Sequence, residues 1–91
     1  GEQCILLDEQ GQQLDSLGLS HWLENFHLQS VPQITCMVGG PYGVDREAFP
    51  QQTKQLSLSP MTFSHQMVRL ILLEQVYRAF TILNGEPYHH R

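Results

Sequence analysis

The feature that most limits what this chain can become is its last third. From Ser64 to Asn84 the sequence SHQMVRLILLEQVYRAFTILN runs without glycine or proline, and Gly85 and Pro87 follow it. It reads as one helix of about 31 Å at 1.5 Å per residue, capped by Thr62 or Ser64. Val68, Leu72, Val76 and Leu83 form one apolar stripe, while Met67, Leu70, Ile71, Tyr77 and Ile82 spread apolar character round the cylinder. A helix apolar on more than one side is buried on more than one side. The chain has 91 residues, and a domain of that size buries only about 60 to 65% of its unfolded surface. The second cover is therefore expected to be another subunit, giving a homodimer, with a central core helix of a monomer as the alternative.

The remainder alternates short apolar runs with polar connections. Gln3 to Leu7 (QCILL) reads as a buried strand closed by the turn-forming Asp8-Glu9-Gln10-Gly11. From Ser16 or Ser20 to about Gln29, the positions Leu19, Trp22, Leu23 and Phe26 recur at helical spacing behind a capping serine. Gln33 to Val38 (QITCMV) is a second strand and runs straight into Gly39-Gly40-Pro41-Tyr42-Gly43, where glycines permit close backbone approach to a ligand. A short helix capped by Asp45 and interrupted near Pro50 is expected next, and Gln55 to Ser59 (QLSLS) alternates as a third strand. Strand and helix in alternation define an α/β chain forming a single domain over residues 1–91.

Hydrophobic residues make up 41% of the sequence and charged residues 15%, with a net charge of −4. That excludes a strongly basic nucleic-acid-binding domain. Arg69, Arg78, His65, His89, His90 and Arg91 nevertheless concentrate basic capacity in the C-terminal third, where any RNA is expected to bind. Arg69 projects beside the Val76 and Leu83 stripe and is expected in a buried region, facing either an anionic or carbonyl group of a ligand or a structural carboxylate such as Asp8. Glu74 and Arg78 stand four apart and can pair. Cys4 and Cys36 show no paired spacing, which favours a reduced compartment. No apolar run approaches the roughly 18 residues of a membrane span, so a soluble, cytoplasmic protein without membrane contact is expected. His65, His89 and His90 lack the spacing of a zinc site, and no metal is expected.

Several of these segments resemble one family. The run Leu56-Ser57-Leu58-Ser59-Pro60-Met61-Thr62-Phe63-Ser64-His65-Gln66-Met67-Val68-Arg69, then Glu74-Gln75-Val76-Tyr77-Arg78-Ala79, then Pro87-Tyr88-His89-His90-Arg91 are similar to the C-terminal signature of the SPOUT-class ribosomal large-subunit pseudouridine (N3) methyltransferase H family. Leu7-Asp8-Glu9-Gln10-Gly11 and Val38-Gly39-Gly40-Pro41-Tyr42-Gly43 stand in the matching order. The resemblance implies a parallel sheet flanked by helices with a C-terminal deep trefoil knot, here in a minimal version, because relatives usually carry a further N-terminal portion.

It also implies a homodimer that binds S-adenosylmethionine and methylates N3 of a pseudouridine in ribosomal RNA, free or in the assembled ribosome. Carried onto matching positions, cofactor contacts fall to Leu7, Gly39, Gly40, Gly43, Leu58, Ser59, Pro60, Met61, Thr62 and Phe63. His65, Arg69, Tyr77, Arg78, Tyr88, His89 and Arg91 are expected to face the RNA or the reacting base. Arg69 or Arg78 would stabilise negative charge developing on the pyrimidine carbonyls, and His65 or His89 would accept the N3 proton. The alternative is a truncated knotted dimer that binds the cofactor without turnover. The tail from Tyr88 onward is expected to approach the partner's cofactor pocket.

Overall fold

Three parallel strands and two helices make up the computed structural model, which describes residues 2–38 and 53–90. The order is β1 (Glu2–Gln13), α1 (Ser16–Leu28), β2 (Gln33–Val38), β3 (Lys54–Ser57) and α2 (His65–Leu83). The sheet order is β2-β1-β3, with β1 parallel to both neighbours. The expected short helix, capped by Asp45 and interrupted near Pro50, falls on residues outside the described ones.

Burial follows the pleat of the central strand. Ile5 and Leu7 face a cluster formed by Leu19, Leu23 and Phe26 of α1, Leu56 of β3 and Ala79 of α2, so both helices lie on that face of the sheet. Leu6 points the other way and is buried too, as expected for the middle strand of a parallel sheet. Val68, Leu72 and Leu83 of α2 pack against the cluster.

Helix ends are set by side chains and by two backbone reversals. Asp15 caps α1, its Oδ1 accepting from Gly18 N–H at 2.7 Å, where the sequence suggested a serine. A carboxylate at the positive end of a helix adds charge to the same hydrogen bond. Helix α1 ends with Ser30 at φ 58, Ser30 N–H donating to His27 O and Val31 N–H to Phe26 O. Ser64 caps α2 by accepting from Met67 N–H at 3.3 Å. At the other end Gly85 takes φ 72, Gly85 N–H donates to Ile82 O and Glu86 N–H to Thr81 O. That pair of bonds reverses the chain, and only glycine occupies the left-handed position without strain.

Strand β1 departs from its expected length. The Asp8–Gly11 segment does not end the strand: pairing resumes at Gln12 and Gln13, and both Leu7 and Gln12 register with Leu56, leaving Asp8 to Gly11 bulged out between them. Gly11 permits this, because a Cβ there would stand 2.7 Å from Gln55 C and 2.8 Å from Leu56 N. Those neighbours are backbone and cannot swing aside. Gly11→Ala should therefore cost about 1–3 kcal/mol of stability in a denaturant titration, the range for forcing an extra group into a filled site; an unchanged midpoint would show that β3 yields without cost.

Candidate functional site

The sheet's register brings the candidate cofactor residues together at one edge. Leu7 pairs with Val38, the last residue of β2, on one side and with Leu56, next to the last residue of β3, on the other, so β2 and β3 end at about the level where β1 bulges. In open parallel sheets the crevice beyond the strands' C-terminal ends, where neighbouring connections part, is where ligands bind. Leu7, Leu58, Ser59, Pro60, Met61, Thr62 and Phe63 all belong to this edge. Gly39, Gly40 and Gly43 lie outside the described residues, directly after Val38.

The connection from β3 to α2 is shaped by its own hydroxyls. Buried Ser57 donates through Oγ to Ser59 O at 2.9 Å, and Ser59 Oγ accepts from Met61 N–H at 3.0 Å. Thr62, offered by the sequence as a possible cap, instead donates to Glu9 Oε2 at 2.9 Å. That bond ties the loop to the bulge of β1, whose turn is closed by Gln10 N–H donating to Asp8 Oδ1 at 3.4 Å. Met61 is 70% exposed and Phe63 36%, so apolar side chains stand open beside backbone groups at the rim. This donor set suits an adenine-bearing cofactor, which small loops of backbone and apolar surface can recognise without charged side chains.

The candidate reaction residues separate into two groups. His65 and Arg69 occupy the first two turns of α2 and are exposed. The expectation that Arg69 lies in a buried region is overturned: the inward face centres on Val68, Leu72 and Ala79, and Arg69 is turned about 100° from Val68. Among the described residues it makes no ion pair with Asp8 or another carboxylate.

Arg78, Tyr88 and His89 form the second group, near the other end of α2. Arg78 Nε donates to Glu74 Oε1 at 3.1 Å and Oε2 at 3.3 Å. Its guanidinium lies 4.9 Å from the Tyr88 ring centroid, and Tyr77 meets the same ring edge-on at 4.8 Å. Arg78 Nη1 reaches His89 Nδ1 at 3.0 Å. The reversal at Gly85 thus folds the tail back onto its own helix, a contact between tail and Arg78 that the separate motifs did not reveal. Arg91 lies outside the described residues. Along the helix Arg78 stands about 14 Å from Arg69 and about 20 Å from His65, and Arg69 and Arg78 project from opposite sides, nine residues at 100° being half a turn beyond two full ones.

Other chemistry is narrowed as well. Cys4 and Cys36 are free, and both thiols are pushed above their ordinary range, Cys4 by desolvation and then by the Glu2 carboxylate, Cys36 by desolvation. Neither is primed as a thiolate nucleophile. Among the described residues no group of three or more metal-ligating side chains gathers, and no helix is long and apolar enough to cross a membrane.

Comparison with known proteins places these features in a family. A family profile described as a predicted SPOUT methyltransferase matches residues 1–89. The chain is 51% identical over 90 residues to a protein from Pelobacter propionicus named ribosomal RNA large subunit methyltransferase H, covering 99% of this chain and 59% of that protein. A protein of the same name from Parabacteroides distasonis is 50% identical over 91 residues, with 99% of this chain and 57% of that protein covered. In Christiangramia forsetii the identity to the protein so named is 48% over 87 residues, covering 96% and 55% respectively. The chain thus spans less than three fifths of the length of these relatives.

The Thr62 to Glu9 bond yields a direct expectation. Thr62→Val should speed amide exchange across residues 59–63 by several-fold, the loss of one exposed hydrogen bond being worth about 0.5–1.5 kcal/mol, while β1 and β3 keep their protection. Equal exchange in the two proteins would mean that the loop is held by its serines alone.

Proposed function

The chain belongs to the SPOUT methyltransferase family, and from that premise we propose that it uses S-adenosylmethionine to methylate N3 of a pseudouridine in large-subunit ribosomal RNA. The observation that carries the reading is the strand edge: in a chain about half identical to proteins named ribosomal RNA large subunit methyltransferase H, the Leu7–Glu9 segment of β1 and the pinned loop from Leu58 to Phe63 stand side by side. Gly39, Gly40 and Gly43 complete the proposed cofactor set. The family's C-terminal knot belongs to the proposal too, as does action in the cytoplasm, where ribosomal RNA is found.

Bound at this edge, S-adenosylmethionine supplies a methyl group already activated on a sulfonium centre. The protein's task is to place N3 in line with that methyl and to accommodate the proton that N3 loses and the negative charge its carbonyls gather. Met61 and Phe63 exclude water from the cofactor's apolar faces, and Leu7, its side chain held in the core, offers its backbone. Arg69 lies at the loop end of α2 and stabilises carbonyl charge from there, with His65 one turn earlier within reach of the departing proton. Arg78, Tyr88 and His89 cannot act on the same base from the same chain, being too far along the helix and on its other side.

A second copy resolves this separation. Leu70, Leu73, Tyr77 and Phe80 are 61%, 68%, 57% and 51% exposed and form two seven-residue pairs on one face of α2. An exposed apolar strip of this length is the mark of an interface. A two-fold pairing of antiparallel α2 helices across it sets each chain's tail against the other chain's loop, so that one copy's Tyr88 and His89 complete the site of its partner. We therefore read the protein as a homodimer with a shared site.

Deleting Tyr88 to Arg91 separates cofactor binding from transfer. The truncated chain should titrate S-adenosylmethionine in a calorimeter with an affinity within about twofold of the parent, yet leave no N3-methylpseudouridine in ribosomal RNA by nucleoside mass analysis. Normal methylation by the truncated chain would remove the tail from the site. A parent that binds cofactor but never methylates would establish a binding module instead.

A further inference from the structure

Arginine carries only donors, so any hydrogen bond it makes to an imidazole fixes that ring's tautomer. The 3.0 Å contact of Arg78 Nη1 with His89 Nδ1 therefore requires a lone pair on Nδ1 and places the ring's proton on Nε2. A ring protonated on Nδ1 would set N–H against N–H at that distance and would be expelled. The contact is not a loose one, because Arg78 is held from behind by both oxygens of Glu74, with the two side chains 23% and 38% exposed.

The holding continues inward. Glu74 Oε1 also accepts from Gln75 Nε2 at 3.2 Å, and Gln75 Oε1 accepts from the Ser16 hydroxyl at the start of α1. Tyr88, next to His89, is gripped between the Tyr77 ring and the Arg78 guanidinium. The imidazole is thus part of a chain of bonds anchored in the body of the domain, with Nδ1 engaged and Nε2–H making no bond among the described residues.

We propose that His89 serves the reaction as a hydrogen-bond donor, presenting Nε2–H to an acceptor oxygen of the substrate nucleotide, and that Glu74 is the positioning residue that fixes this tautomer by orienting Arg78. The inference rests on the methyltransferase reading and sharpens it. A base must offer a lone pair, and the one on His89 is occupied by Arg78. A fixed N–H aimed at oxygen instead stabilises charge that builds on a carbonyl or phosphate as the reaction proceeds. The N3 proton is then left to His65 or to water.

Two measurements decide it. A long-range proton–nitrogen correlation spectrum of the nitrogen-15-labelled chain at neutral pH should show His89 as the Nε2–H tautomer, and Glu74→Gln should turn it into a mixture. In methyl-transfer assays on ribosomal RNA, His89→Gln, whose side-chain amide can stand where Nε2–H stands, should stay within about tenfold of the parent. His89→Asn and His89→Ala should lose about a hundredfold, the scale for one oriented donor. Glu74→Gln should lower kcat while leaving KM for S-adenosylmethionine unchanged, and should add little on top of His89→Gln, which has no tautomer to fix. An Nδ1–H or doubly protonated His89, or a His89→Gln variant as inactive as His89→Ala, overturns the proposal. If the parent transfers no methyl to RNA, the methyltransferase reading and the donor role fall together, and the tautomer is still decided by the spectrum.

Discussion

Everything in this fold hangs on one strand lying parallel to both its neighbours. Parallel pairing forbids tight hairpins, so each connection must cross the sheet, and the three strands deliver their C-terminal ends to a single edge. Leu7 is the pivot: it registers with Val38 and Leu56 and is itself buried in the core against α1 and α2. The same residue therefore joins the hydrophobic core to the rim of the proposed cofactor site. The bulge from Asp8 to Gly11 exploits that junction, projecting Glu9 to meet Thr62 while the closeness of Gly11 to β3 keeps the strand paired beyond it.

Helix α2 acts as a spacer as much as a packing element. Its inward face supplies Val68, Leu72 and Ala79 to the core, and its length sets the loop-end residues His65 and Arg69 apart from the tail cluster. That separation, together with the exposed strip of Leu70, Leu73, Tyr77 and Phe80, is the physical reason for reading the site as shared between two chains. On the proposed reading, an isolated chain holds both halves of the machinery and cannot bring them to one base.

How legible this was in the sequence depended on whether the signal was local. Helix α2 was readable nearly to the residue, because Ser64 and Gly85 mark its ends by their own chemistry. The strand cores, with their short apolar runs, were equally plain. Strand β1 was cut short at Leu7 because Asp8-Glu9-Gln10-Gly11 has turn composition, and only pairing with Leu56 carries the chain past it. Asp15 was passed over as a cap in favour of serines close by. Arg69 was misplaced since an apolar residue occurs on nearly every side of α2, leaving periodicity no means of choosing which arc faces inward. The tail residues stood out as a chemical mixture, but their docking on Arg78 depends on the reversal at Gly85, and which nitrogen of His89 bears the proton depends on that docking.

The shared site is tested most directly by mixing two disabled chains. One lacks Tyr88 to Arg91; the other carries Met61→Asp and Phe63→Asp and is first verified by calorimetry to have lost the cofactor. Neither should methylate ribosomal RNA alone. After unfolding and refolding together, mixed dimers pair an intact loop with an intact tail, and random pairing makes half the dimers mixed, each with one working site. The account predicts that methylation returns to about a quarter of the parental level per dimer. A mixture as silent as its components, with mixed dimers present by mass, would contradict it.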